Sequence, residues 1–334
     1  MNKTYWIISA IITLCGLTVM SLGAKQMKTE AKTVSDPEQM EFTDVRSIHL
    51  EIKSSEVELY AAEGAESTKI SVINAPASFK MEENISNENG VLTIKENTDR
   101  FNFVDFDFLS QEPKMKTVIT VPAGVDYEEI HVKVGSGDVT DMHGISADDL
   151  MITIGSGDAE IHDMRILGGS EIRLGTGDII MQGMEMFGGT ELKSGSGDAE
   201  LRHCYLADGV NIDYGSGECS MENVEVIGDL EVKFGSGDMN VSAMEVSGVT
   251  TMKYGSGDLE LNSFTPGEST ELQFSSGSAD ISLTGSREDY AFRTKAGSGD
   301  ITIGGEDSNN YNGGSGKPFS ITVGSGDINV SFEQ

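Results

Sequence analysis

The chain has 334 residues, 40 of them glycine and 6 proline, and a formal net charge of −32 at pH 7. That charge argues against nucleic acid and against electrostatic adhesion to anionic lipid heads, and fits basic partners, metal cations or simple colloidal stability. Three cysteines, two of them in the region after the first 24 residues, are too few for a disulfide framework, so the fold has to come from a buried apolar core.

Residues 1–24 read as a transmembrane anchor or a signal peptide. Tyr5 to Gly23 are 19 consecutive uncharged positions following Lys3. That length suits a membrane span better than a signal core, and Tyr5 and Trp6 sit where interfacial aromatics belong. Ser21-Leu22-Gly23-Ala24 also offers a cleavage site, so an uncleaved anchor and a cleaved signal both stay open. The expected location is a membrane with a single-pass, exported ectodomain, or the cell surface and medium after cleavage. Cys15 follows Leu14, a poor context for lipoprotein processing. Residues 25–41 are polar, lack strand alternation and read as a linker.

Residues 42–334 read as one all-β body, with residues 42–130 as an N-terminal cap. Candidate strands there are Ile48–Ile52, Val57–Tyr60, Lys69–Ile73, Val91–Ile94 and Thr117–Val121, with Asn89-Gly90 as a hairpin turn and Phe101–Phe108 as an apolar strand or hinge. A solenoid needs an atypical terminal piece of this kind over its open edge.

From residue 131 the pattern becomes periodic. A Gly-Ser-Gly-Asp motif or a close variant opens at 135, 155, 175, 195, 215, 235, 255 and 275, one every 20 residues, and again at 297 and 324. A fixed period of this size predicts a stack of supersecondary units, here a right-handed parallel β-helix or β-solenoid. The glycines Gly135, Gly137, Gly155, Gly157, Gly235 and Gly237 are expected to supply positive φ at the corners. Equivalent positions are apolar in columns, such as Val132, Ile152, Ile172, Leu192, Ile212, Val232, Met252 and Leu272. Tyr214, Phe234, Tyr254 and Phe274 share a column in which rungs about 4.8 Å apart would stack the rings.

Three candidate sites follow. The first is an outward basic flank, Lys133, Arg173, Lys193, Lys233 and Lys253, beside a column of glutamates. The second is the insertion Gly304–Pro318, which offers Glu306, Asp307 and Tyr311. The third is the corner column Asp138, Asp158, Asp178, Asp198, Asp238 and Asp258, interrupted by Glu218 and Ser278. Stacked carboxylates would repel by about 1 kcal/mol each in water-like dielectric, and bonds to turn amides or a bound cation would relieve that. One carboxylate per turn is a poor match to the six to eight oxygens of calcium, so a turn-stabilising role is favoured over a weak calcium-like site. The five histidines are scattered without metal spacing, Cys204 and Cys219 read as small buried hydrophobes or a pair able to form a disulfide, and no nucleophile or base pair converges, so no enzyme and no cofactor are expected.

Val118–Pro122, Ile130–Val139, the serial Gly-Ser-Gly-Asp coils, Asp289–Ile301 and Ile321–Ile328 together resemble the bacterial DUF4097 candidate-adhesin β-strand-repeat family over roughly residues 45–334. The resemblance implies a β-helix-like fold outside a bacterial membrane and, for anchored members, association with envelope-stress systems. The expected function is a non-catalytic binding module whose partner is an envelope protein or polysaccharide. The alternatives are an adhesin for external glycans or host proteins and a passive spacer or oligomerisation rod, with self-association through the C-terminal coil left open.

Overall fold

The computed structural model describes residues 38–76, 79–96 and 114–333. The apolar N-terminal segment, residues 25–37 of the expected 25–41 linker and the Phe101–Phe108 run lie outside the described residues, among which no helix is long and apolar enough to cross a membrane; the last linker residues, from Glu38, belong to the strand Glu38–Phe42.

Each 20-residue repeat forms three short strands, and every strand pairs in parallel with its equivalent one repeat away. On the first face Ile152 pairs with Ile172, Ile172 with Leu192, Leu192 with Ile212 and Ile212 with Val232. On the second face Ala159, Ile179, Ala199, Cys219 and Met239 are successive partners. On the third face Arg165, Glu185, Tyr205, Glu225 and Glu245 follow one another. Because side chains alternate along a strand, this register sends the same sequence position of each repeat into the core or out of it. The inward columns are buried to a few per cent or less from Ile48 to Val330, forming one continuous core. Tyr214, Phe234, Tyr254 and Phe274 stack within it at centroid separations of 5.0, 5.2 and 5.0 Å.

The ends depart from chain order in the same way. At the start of the body, Ser47–Ile52 and Glu56–Ala62 are a coil in their own right, lying directly on Glu129–Val134 and Asp138–His143. Val91–Lys95 and Lys116–Pro122, which come later in the chain, pair on the far side of that coil. At the other end Phe319–Val323 and Ile328–Glu333 insert between the coil of Thr270–Thr284 and the coil of Tyr290–Ile303. The C-terminal strand is therefore enclosed and not an open edge. Antiparallel strands finish both ends. Thr68–Ile73 covers Lys116–Thr120 and is itself covered by Glu38–Phe42. The Asn89-Gly90 hairpin, both residues at positive φ, folds Ile85–Glu88 onto Val91–Ile94.

The motif glycines correct the expectation drawn from their sequence. Gly135, Gly137, Gly155, Gly157, Gly235 and Gly237 are not among the residues with positive φ. Positive φ belongs to the other corners, at Asp163, Gly183, His203, Asn223, Ala243 and Ser263 in one and at Gly189, Gly209 and Gly228 in the next. What the motif requires is contact between coils. A Cβ on Gly157 would lie 1.5 Å from the carbonyl oxygen of Gly137, and one on Gly237 would lie 1.9 Å from that of Gly217. For Gly137 the obstacle is the Ser55 carbonyl at 2.1 Å. The first glycine of each motif is less confined: a Cβ would lie 2.9 Å from the Lys53 oxygen at Gly135, and 2.5 Å from the oxygen below at Gly155 and Gly235. Ser275 already occupies that slot in one coil.

This difference is testable. Gly177→Ala, whose Cβ would lie 1.7 Å from the Gly157 oxygen, must push two coils apart. It should cost about 3 kcal/mol, read as a lowered urea midpoint, whereas Thr176→Ala between the two glycines should stay within about 0.5 kcal/mol.

Candidate binding surfaces

The aspartate of each corner completes a backbone ladder. The amides of Gly155 and Ser156 donate to Val134 and Gly135 of the coil before, while the amide of Ala159 donates to Asp178 of the coil after. Asp158 stands where the donor direction reverses, and its amide donates to Oδ1 of Asp138 at 3.2 Å. The same bond recurs from Asp178 to Asp158, Asp198 to Asp178, Glu218 to Asp198, Asp258 to Asp238 and Ser278 to Asp258, at 2.7–3.0 Å. An N–H thus lies between successive carboxylates, which offsets their mutual repulsion. Glu218, one methylene longer, instead accepts from the Asn240 side chain at 2.6 Å.

Both ends of this ladder are closed by side chains from the irregular segments. At one end Glu96 accepts from the amides of Lys53, Ser54 and Ser55 and from both serine hydroxyls. Successive amides converging on one carboxylate form an anion nest. Burial opposes the Glu96 charge, but the amides of Ser54, Lys53 and Ser55 and the Ser54 hydroxyl outweigh it and hold the carboxyl below its ordinary 4.5. At the other end Asp300 donates its amide to Asp327 and accepts from Nδ2 of Asn309, whose Oδ1 takes the Ile301 amide.

The Gly304–Pro318 insertion is thereby placed as an edge cover. Glu306–Asp307 pair antiparallel with Thr302–Ile303, and Asn312–Gly313 with Phe292–Arg293. The Tyr311 amide donates to Thr294, and the Arg287 guanidinium lies 5.2 Å from the Tyr311 ring centre. These contacts tie Glu306, Asp307 and Tyr311 to the last coil.

The basic flank is one outward column, with Lys133, Arg173, Lys193, Lys233 and Lys253 in register. Four of its five charges are already engaged within the sheet. Arg173 pairs with Glu171, Lys193 with Glu191 at 2.5 Å, Lys233 with Glu231 at 2.8 Å and Lys133 with Glu51 at 3.8 Å. Lys253 alone of the five has no ion pair within 4 Å among the described residues. Exposed pairs of this kind contribute about 0–1 kcal/mol each. Beyond the glutamates, at the glycine-rich third corner, an open groove of about 630 Å³ runs between Met151, Glu191 and Glu231 on one wall and Asp149, Asp208 and Asp229 on the other.

Scattered residues also become neighbours. His49 pairs across strands with His131, their rings 5.7 Å apart, and its Nε2 lies 3.0 Å from Glu129. His143 pairs with His162 and stacks on Tyr60 at 5.4 Å, with its Nδ1 2.7 Å from Asp141. Their sequence separations of 82 and 19 conceal this, because one crosses a change of coil order and the other crosses a bulge. No group of three or more metal-ligating side chains converges among the described residues. Cys204 and Cys219 are free buried thiols. Burial, and secondarily Glu218, pushes the Cys219 thiol up to about 12, so it is not a thiolate at neutral pH.

Two measurements separate these roles. Asp178→Ala removes the acceptor for the Asp198 amide and should lower stability by about 1 kcal/mol, whereas Asp178→Asn keeps an oxygen there and should stay within about 0.5 kcal/mol by urea unfolding. The second concerns acid. A carboxyl held below its unfolded value stabilises the fold above that value, near 4.5, and its contribution fades as pH falls through the folded value. Glu96→Gln should therefore be less stable than the parent at pH 7, with the gap closing below about pH 4.5. Parallel curves would assign the acid dependence to other carboxylates.

No curated protein matches the sequence. Among solved structures, a candidate lipid-binding protein from Parabacteroides distasonis aligns at 14% identity, covering 89% of this chain and 97% of its own, with a TM-score of 0.44. A candidate cell adhesion protein from Clostridium sporogenes aligns at 11% identity, covering 89% of this chain and 100% of its own, with a TM-score of 0.19. The Toastrack DUF4097 family model matches residues 45–331, nearly the whole described body from the entry coil to the last strand. The chain belongs to the Toastrack DUF4097 family.

Proposed function

We propose that this protein is a non-catalytic binding module of the bacterial cell envelope, a right-handed parallel β-helix held outside the cytoplasm by its N-terminal segment as an anchor, or released after that segment is cleaved. The handedness follows the general preference of parallel crossover connections. The observation that carries the reading is the uninterrupted stack from Glu129 to Thr284, in which each outward position recurs on every rung. Such a surface presents long columns of side chains to an extended partner, while the core and corners provide cohesion. The net charge of −32 favours a basic protein partner over nucleic acid or anionic lipid, and an uncharged envelope polysaccharide is compatible with it. An anchored module of this kind would act locally, within a membrane or envelope-stress complex.

The test is capture by the full-length chain of components from the wall, membrane and membrane-protein fractions of the producing cell, with calcium and with chelator. Saturable capture supports the envelope role. Its absence in both conditions would move the function to an external adhesive ligand or a passive spacer. Lys193→Glu, Lys233→Glu and Lys253→Glu combined should abolish capture where the basic flank is the contact surface, and undiminished capture removes that flank.

A further inference from the structure

The third face carries an apolar stripe that the core does not use. Leu167, Phe187, Ala207 and Ile227 occupy one outward column on four successive coils, spanning about 14 Å at one rung per 4.8 Å. Leu167 and Ile227 are 39% and 37% exposed, two of the five exposed large hydrophobics among the described residues. The Tyr205 ring lies beside Phe187 at 5.5 Å, widening the stripe.

Acidic groups bound it on both sides. The neighbouring outward column supplies Glu185, Glu225 and Glu245. Across the glycine corner, Asp208 and Asp229 stand at the near wall of the groove, while Glu191 and Glu231 at the far wall are already paired with Lys193 and Lys233. Among the described residues no basic side chain lines that groove. The one cation on the stripe, Arg165, lies over the Phe187 ring at 5.0 Å and pairs with Glu185 at 3.5 Å, so it is already engaged. Glycine recurs at this corner, so no side chain fills it: a Cβ on Gly188 would lie 2.5 Å from the Gly168 oxygen.

We propose that this face docks a basic, apolar-anchored segment of a partner protein, lying along the stack with its apolar side chains on Leu167, Phe187 and Ile227 and its lysines or arginines reaching the flanking carboxylates. A second copy of this chain is disfavoured as occupant, since it would bring like charge to like. An anionic membrane is disfavoured for the same reason. Apolar anchors supply the affinity and the carboxylates supply selectivity and encounter rate. The inference rests on the binding-module reading and names the partner's chemistry.

The probe is a fluorescent peptide of alternating leucine and lysine, with a lysine–serine peptide of equal charge as comparison, titrated with the full-length chain at about 0.15 M salt to screen bulk attraction. The leucine peptide should bind about tenfold tighter than the serine peptide. Phe187→Ser with Ile227→Ser should remove that difference. Asp208→Asn with Glu225→Gln, which leaves the stripe intact and guards against misfolding of the first variant, should weaken the leucine peptide several-fold. Glu160→Gln with Glu260→Gln, the same charge change on the second face, should leave binding unchanged. Equal loss from the second-face pair would show bulk electrostatics and overturn the proposal. So would retained discrimination in the stripe variant, or capture of phosphatidylcholine vesicles that the leucine peptide fails to displace. Envelope capture that survives the stripe substitutions would overturn this inference while leaving the envelope role standing. Face-dependent peptide binding without envelope capture would do the reverse.

Discussion

The structure depends on how closely one corner can lie on the next. The carbonyl of the second motif glycine approaches the α-carbon of its counterpart one coil away so nearly that no side chain fits between them. That contact brings strands on all three faces into hydrogen-bonding register at once, because a corner held further apart would stretch the ladders on both sides of it. It also fixes where the carboxylates fall. The aspartate after the glycine stands at the point where backbone donors change direction, and it supplies the acceptor that the main chain cannot.

With the corners and core devoted to cohesion, the outward surface is free to vary, and it does so in stripes. On three strands of the first face the glutamate column satisfies the basic one, at Glu171–Arg173, Glu191–Lys193 and Glu231–Lys233, so much of that face's charge is balanced within it. Asp208, Glu225 and Glu245, beside Leu167, Phe187 and Ile227, have no such balancing column among the described residues, and Arg165 is already paired with Glu185. Charge is therefore distributed unevenly around the stack, although the composition shows only a large negative total.

The ends solve a different problem. A stack of parallel strands leaves unpaired donors and acceptors at each terminus, and such edges invite pairing with other chains. Here both termini fold a later or earlier segment of the chain past its neighbour and then close the edge with antiparallel strands. Glu96 and Asn309 finish the carboxylate ladder at the same two places. The polar insertion Gly304–Pro318, which composition marks as a ligand loop, is thus occupied in covering the last coil.

The 20-residue period, the alternation within each repeat and the aromatic column were legible in the sequence, because a strand's side-chain direction depends only on position parity and a repeat places like residues together. The entry strands and the Asn89-Gly90 hairpin were legible for the same local reasons. The role of the motif glycines was not, since a glycine required by a neighbouring backbone looks identical in sequence to one required by its own φ. The histidine pairs, the reversed coil order at both ends and the acidic margin of the apolar stripe were hidden as well, since each is a relation between residues whose separation is set by edge pairing, bulges and corners. The sequence by itself determined that the chain is a stacked β body with an apolar interior, through local periodicity. Only the tertiary structure decided which surfaces are self-satisfied and which remain available to a partner, because charge balance and exposure are properties of neighbours in space.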